Sequence, residues 1–297
     1  MDVILKTEGL TKIYGETKVV NDVSLTVRQG DIYGFVGKNG AGKTTLIRMI
    51  LGLTGIDGGS FTMFDGTELS AARRRTGSLV EGPSLYKNMT ARDNLLLFST
   101  LLGTDKSKVD ALLETVGLPD TGKKKARDFS LGMKQRLGIA MALLGEPDFL
   151  ILDEPINGLD PKGIVEIREL LLRLKNEGKT IFISSHILGE LEKIATRYGI
   201  ISGGRLVEEI TAEELRQICV AATLLQTNQP EKALEIARRF LHSEEISLEK
   251  GTVVIRTPIE DIGALTNELF REGVSVKGIS SDDNSAEEFF IRKMEEE

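Results

Sequence analysis

Cysteine is almost absent. The 297 residues contain one, Cys219, which excludes an intramolecular disulfide; it lies in the apolar stretch 218–225 and reads as a small core residue. Long apolar runs are missing too. The longest, residues 137–145, falls far short of the roughly 18 to 20 apolar residues that carry a helix across a bilayer, so no membrane span is expected. Residues 1–9 carry acidic side chains and no basic-then-apolar pattern, so nothing there reads as a secretory signal and a cytosolic location is expected. Positive charge is not in excess. With 38 Lys and Arg against 45 Asp and Glu, the net charge is −7, which argues against a nucleic-acid partner, since phosphate backbones reward clustered basic surface. The exceptions are Arg73, Arg74 and Arg75, and Lys123, Lys124 and Lys125. Each triplet reads either as solvated surface or as a contact with lipid headgroups or a partner. Of the two histidines, His242 lies near a helix end without a plausible ligand set and reads as a surface residue.

What is present is the composition of a folded chain: 40% hydrophobic and 28% charged residues with no low-complexity stretch. The length suits one large domain, residues 1–212, and a small accessory domain, residues 213–297. In the first, short apolar strands alternate with helical segments, the pattern of an α/β domain with a mostly parallel sheet. Residues 32–36, 149–153 and 180–184 read as its buried strands, each followed by polar or glycine-containing turns of the kind that build ligand sites. Beyond residue 211 an acidic helix opens near Ala212. Strand 219–226, helix 230–241, strands 245–249 and 252–257, helix 260–272 and strand 274–279 then give a βαββαβ order. That is a small α+β domain of ferredoxin-like type, with a last helix near 285–294.

Residues Gly37, Lys38, Asn39, Gly40, Ala41, Gly42, Lys43 and Thr44 fit G-x-x-x-x-G-K-[ST], between a predicted strand and a helix running to about Leu51. The glycines let successive backbone N–H groups turn inward around phosphate oxygens, helped by the positive end of the helix, with Thr45 following in its first turn. Lys43 neutralises the β- and γ-phosphates, Thr44 offers a hydroxyl to Mg²⁺, and Gly52 ends the helix after its buried face of Leu46, Ile47 and Ile50. A phosphate loop alone does not separate kinase, GTPase, helicase and transporter ATPase. Further along, strand 149–153 ends in Asp153 and Glu154, adjacent carboxylates of which one can hold the Mg²⁺ shell and the other orient and deprotonate water. Between the two sites, Ser130 reads as the N-cap of a helix over 135–144, and with Gly132 makes a second candidate anion site.

The run Ser130-Leu-Gly132-Met-Lys-Gln-Arg136 resembles the signature motif of ABC ATPases, and the order of motifs over residues 3–210 is similar to that family throughout. The resemblance implies a P-loop ABC ATPase domain with a helical subdomain, binding ATP with Mg²⁺ and hydrolysing ATP to drive transport. It implies that Tyr14 stacks on adenine, that Asp160 in Asn157-Gly-Leu-Asp160 lies in a loop crossing a dimer interface, and that His186 contacts the γ-phosphate. Two copies would close head to tail on ATP, with Ser130 and Gly132 of one meeting the γ-phosphate held by the other. The partners implied are transmembrane permease subunits, with the chain peripheral on the cytoplasmic face of the membrane and soluble when isolated.

Two departures from the pattern sharpen this reading. Glu81 stands where the family usually carries a glutamine, which gives a carboxylate able to bind Mg²⁺ or a near-isosteric replacement of no consequence. Leu131 and Met133 replace signature residues while Ser130 and Gly132 persist, so an active site is expected. The combination resembles the bacterial subgroup that confers bacitracin resistance or lantibiotic immunity. A soluble ABC ATPase acting on ribosomes or DNA is the alternative. It is disfavoured by the single ATPase domain and the lack of room for a long coiled coil.

Overall fold

Five-residue strands buried along their whole length fix the centre of the first unit. The computed structural model describes residues 2–219, 222–257, 259, 261–282 and 286–295. They form two compact units, Met1–Ala212 with Phe290–Glu297, and Glu213–Phe289. In chain order the first unit opens with strands β1 (Val3–Tyr14), β2 (Thr17–Val23), β3 (Thr26–Arg28) and β4 (Ile32–Val36), then helix α1 (Lys43–Leu51) and β5 (Gly58–Met63). It continues through α2 (Leu69–Arg74), β6 (Thr76–Leu79), α3 (Ala91–Leu102), α4 (Val109–Thr115) and α5 (Leu131–Leu143). It is completed by β7 (Phe149–Asp153), α6 (Pro161–Asn176), β8 (Thr180–Ser185), α7 (Leu188–Leu191), β9 (Arg197–Ser202) and β10 (Arg205–Thr211).

The main sheet has the order β10-β9-β4-β8-β7-β6, parallel except for the edge pair β10–β9. Its register aligns Val36 with Ser185 and Asp153 with Ser184, so the ends of β4, β7 and β8 open onto one edge. A second, antiparallel sheet of β1, β2, β3 and β5 packs with α1 over a core that includes Leu5, Leu10, Phe35, Leu46, Ile50 and Phe182. Helices α3, α4 and α5 form the helical part. A capping box between Thr90 and Asp93 starts α3, and Arg136 ties α5 to Glu166 of α6 at 3.2 Å. Gly77 on β6 admits α5 closely, because a Cβ there would collide with the carbonyl of Ala142. Among the described residues, no helix is long and apolar enough to cross a membrane.

The second unit holds α8 (its start at Ala212, running to Ile218), β11 (Ala222–Thr227), α9 (Pro230–Leu241), β12 (Ile246–Glu249), β13 (Thr252–Ile255), α10 (Ile262–Arg271) and β14 (Val276–Asp282). The antiparallel order β12-β13-β11-β14 places the first and third strands at the centre, which is the ferredoxin-like arrangement expected from βαββαβ. Leu225, Val253 and Ile255 pack on Ile236, Leu265 and Leu269 of the two helices. Helix α11 (Ala286–Lys293) runs through the boundary between the units. Positions 220, 221, 260 and 285 of the expected elements lie outside the described residues.

Three expectations are corrected. Cys219 is half-buried rather than a core strand residue, because its N–H continues the turn of α8 by donating to Leu215 O at 2.8 Å and the strand begins only at Ala222. The signature helix starts at Leu131, since the Ser130 hydroxyl already accepts from the Met133 N–H at 3.2 Å. Arg75 is not simply solvated: it pairs with Asp148 at 2.7 Å and lies 4.0 Å from the centroid of the Phe64 ring.

Candidate functional site

The phosphate loop is shaped by glycines that nothing larger can replace. Gly42, the residue before α1, has φ +103°, and a Cβ on it would approach the carbonyl of Val19 to 2.5 Å. A Cβ on Gly37 would meet Ile201 O at 2.5 Å. The loop therefore lies flat against β9, with α1 opening at Lys43 and closing at Gly52 in the left-handed conformation. Around it lies a cavity of about 210 Å³ lined by Asn39, Gly40, Gly42, Lys43, Thr44, Thr45, Glu154 and Val19.

Lys43, only 6% exposed, reaches Gly37 O at 2.6 Å, Lys38 O at 3.3 Å and Glu154 Oε1 at 3.2 Å. The other oxygen of Glu154 lies 2.8 Å from His186 Nδ1. Against a carboxylate, which only accepts, this nitrogen carries the proton. Asp153 is buried and receives two hydroxyls: Thr44 Oγ1 donates to Oδ2 at 2.8 Å and Ser184 Oγ to Oδ1 at 2.6 Å. The structure thus brings together Lys43, Thr44, Asp153, Glu154 and His186 from three separate parts of the chain.

Glu154 stands in the left-handed region at φ +49°, a conformation that costs a side-chain-bearing residue roughly 1 kcal/mol or more. Its N–H is held there by Ser184 from both the carbonyl, at 3.1 Å, and the hydroxyl, at 3.0 Å. Ser184 is the residue that sequence reasoning passed over. It sits in the Ser-Ser-His run before His186, but only the β7–β8 register sets it opposite Asp153.

Tyr14 and Glu81 lie elsewhere. They share a cavity of about 410 Å³ with Arg48, Leu53, Thr54 and Val80. Tyr14 is exposed, with Lys12 Nζ 5.3 Å from its ring centroid and its hydroxyl 3.4 Å from Thr54 Oγ1. Glu81, at φ +55°, pairs with Arg48 at 2.7 Å. Ser130, Gly132 and Asp160 form a third group at helix starts. The Asp160 carboxylate caps α6 by accepting from the Gly163 N–H at 3.0 Å, and a Cβ on Gly132 would lie 3.8 Å from Gly163 Cα. None of the three lines the phosphate-loop cavity.

The oxygen donors fit Mg²⁺, which takes one or two protein oxygens and completes its shell with water and phosphate. Thr44 and Asp153 converge within hydrogen-bond distance, and no group of three or more His, Cys, Asp or Glu among the described residues forms an all-protein cage.

Comparison with known proteins agrees with this geometry. The family model described as ABC transporter matches residues 20–157. The bacitracin transport ATP-binding protein BcrA of Enterococcus faecalis is 42% identical over 98% of this chain and 96% of its own length. The lantibiotic transport ATP-binding protein SrtF of Streptococcus pyogenes is 46% identical over 69% of this chain and 90% of its own. A solved ATP-binding subunit of an ABC transporter superposes with a TM-score of 0.64 at 31% identity, covering 72% of this chain and 92% of that one. The ADP conformation of the cassette MJ1267 gives 0.65 at 26% identity, over 73% and 94%. The chain belongs to the ABC transporter family, as an ATP-binding subunit that hydrolyses ATP to power transport.

Proposed function

We propose that the chain drives a membrane transporter for peptide antibiotics of the bacitracin or lantibiotic kind, working at the membrane surface with permease subunits supplied by other chains. The observation that carries this reading is the match to bacitracin transport ATP-binding proteins at 42% and 43% identity over 98% of the chain, second unit included. A cavity of about 710 Å³ beside β6, walled by Leu79, Pro83, Phe98, Leu102 and Met141, is the surface we assign to the permease. It is concave, it sets these apolar walls beside Arg73, Arg74, Ser78, Ser84 and Thr104, and it begins where the Glu81 loop ends.

In the proposed chemistry the N–H groups of the phosphate loop and Lys43 hold the β- and γ-phosphates, while Thr44 and Asp153 hold Mg²⁺, which supplies charge neutralisation when bound. Glu154 accepts the proton of the attacking water, and His186 orients Glu154 and the γ-phosphate. Tyr14, exposed in a cavity it shares with Arg48, Leu53 and Thr54 around the end of α1, is assigned as a platform for the base. Glu81, held by Arg48, is assigned to sensing the permease rather than to the metal. Ser130, Gly132 and Asp160, absent from the chain's own phosphate cavity, are assigned to the γ-phosphate of a second copy closing head to tail.

The test is resistance. Expression with its cognate permease in a sensitive bacterium raises the inhibitory concentration of bacitracin or a lantibiotic, and Glu154→Gln abolishes the gain. Protection by the wild type against neither class, in a strain where the complex assembles, refutes the substrate assignment.

A further inference from the structure

After the second unit, the chain returns to the phosphate loop. Phe290 is fully buried, its ring tilted 58° against Tyr198 of β9 with centroids 5.2 Å apart. Lys293 Nζ lies 3.2 Å from Glu208 Oε2 on β10, and Ser202 Oγ at the end of β9 donates to the carbonyl of Met294 at 3.0 Å. These anchors deliver the Met294 side chain, 8% exposed, into a cavity of about 250 Å³. The other walls of that cavity are Gly37, Lys38 and Asn39 of the phosphate loop, with His186 and Leu188 beyond β8. Glu295 Oε1 follows, 3.4 Å from Lys38 Nζ. That ion pair is well exposed on both sides and contributes little, so the buried thioether is the contact that matters.

We propose that Met294 is a positioning residue of the ATP site, setting the path of the phosphate-loop backbone at Gly37 and Lys38. The inference rests on the assignment of this loop as the ATP site. Lys43 is held by the carbonyls of Gly37 and Lys38, two residues that line the cavity together with Met294, so the path of the backbone there sets where the ammonium points. On the β9 side Gly37 already abuts Ile201 and cannot move closer. Met294 is an apolar wall of the cavity beside it, and a flexible thioether adapts to such an irregular surface well. Charge-assisted hydrogen bonds to phosphate weaken steeply as donor and acceptor fall out of line, so a side chain remote in sequence has leverage on ATP affinity through Lys43.

The experiment measures steady-state ATPase and equilibrium binding of a fluorescent ATP analogue on the full-length chain, for wild type, Met294→Ala, Met294→Leu and Lys43→Ala. We expect Met294→Ala to raise both KM and the dissociation constant about five- to tenfold with kcat changed less than about threefold, and Met294→Leu to stay within about twofold of wild type. Retention of kcat at saturating ATP shows that the variant is folded. If Lys43→Ala loses binding but Met294→Ala matches wild type in KM and affinity, the ATP site stands and the role of Met294 is refuted. A fall in kcat at unchanged KM for Met294→Ala refutes it equally, as a general packing defect. If Lys43→Ala binds the analogue normally, the site assignment fails and the inference falls with it.

Discussion

Removing one hydroxyl should both destabilise the fold and disarm the site. Ser184 is fully buried, and its Oγ donates to Asp153 Oδ1 at 2.6 Å while accepting from the Glu154 N–H at 3.0 Å. In Ser184→Ala the Asp153 carboxylate, itself 4% exposed, keeps the Thr44 hydroxyl on its other oxygen but loses this partner. A hydrogen bond to a charged group is worth about 1.5–3 kcal/mol. The Glu154 N–H retains the Ser184 carbonyl at 3.1 Å, so its share adds little. The expected loss is therefore about 2 kcal/mol. Glu154, held at positive φ by the same residue, also becomes less well fixed, and kcat should fall by about 10- to 100-fold, the range typical of groups that orient metal and catalytic ligands. Urea unfolding and Mg²⁺-dependent ATPase on the same preparation check both numbers. A loss below about 0.5 kcal/mol with turnover within twofold of wild type would refute the argument that Ser184 holds the acidic pair in place.

Glu154→Gln is expected to keep ATP affinity and lose turnover by at least about a hundredfold, with an ATP-dependent dimer visible by light scattering. Asp160→Asn preserves the α6 cap, since asparagine caps as well as aspartate, so unchanged stability with reduced ATPase would report the cross-interface role alone, whereas Asp160→Ala adds a stability loss of about 1 kcal/mol. Burial raises the Glu209 carboxyl above its ordinary range, against the pull of Arg197, the Thr26 backbone and Arg28. A raised acid pKa means the fold favours the neutral form. Stability from this group is present at low pH and lost as pH rises from the usual carboxylate range through the folded value, so Glu209→Gln should raise the Tm at pH 7 and match wild type near pH 4.

The fully buried strands β4 and β7 are legible because burial on both faces leaves no alternation to misread, and each ends in its own punctuation: glycines after Val36, carboxylates at Asp153 and Glu154. The ferredoxin-like order is legible for a similar reason, as α9 opens at Pro230 and α10 is capped by Asp261, local signals that survive without knowledge of the neighbours. Ser184 is different. Its function is a matter of register between β7 and β8, and register depends on residues 31 positions apart. The same holds for Arg48 on Glu81, and for the return of Phe290 and Met294 to the first unit. Nothing in an amphipathic last helix says which surface will receive it. Asp160 and Ser130 show the converse, since in one chain each is accounted for as a helix cap, and a further use for either becomes visible only with a second copy in mind.

The contacts of Lys43 imply an order of events at the proposed site. Its ammonium is shared among Gly37 O, Lys38 O and Glu154 Oε1, while Glu154 Oε2 faces His186. Both oxygens of the proposed base already carry a charged or ring N–H partner, so an attacking water must share an oxygen with one of them until that partner moves. A γ-phosphate competes for Lys43 with more charge than a single carboxylate carries, and its oxygens accept the same ammonium protons. When Lys43 turns to it, Glu154 Oε1 is released at that moment and on the side facing the phosphate loop. Phosphate binding and exposure of the base are then one movement rather than two. Release of Glu154 without a seated γ-phosphate would require Lys43 to leave a half-buried carboxylate with nothing to take its place, which is the costly direction of exchange for an ammonium side chain only 6% exposed.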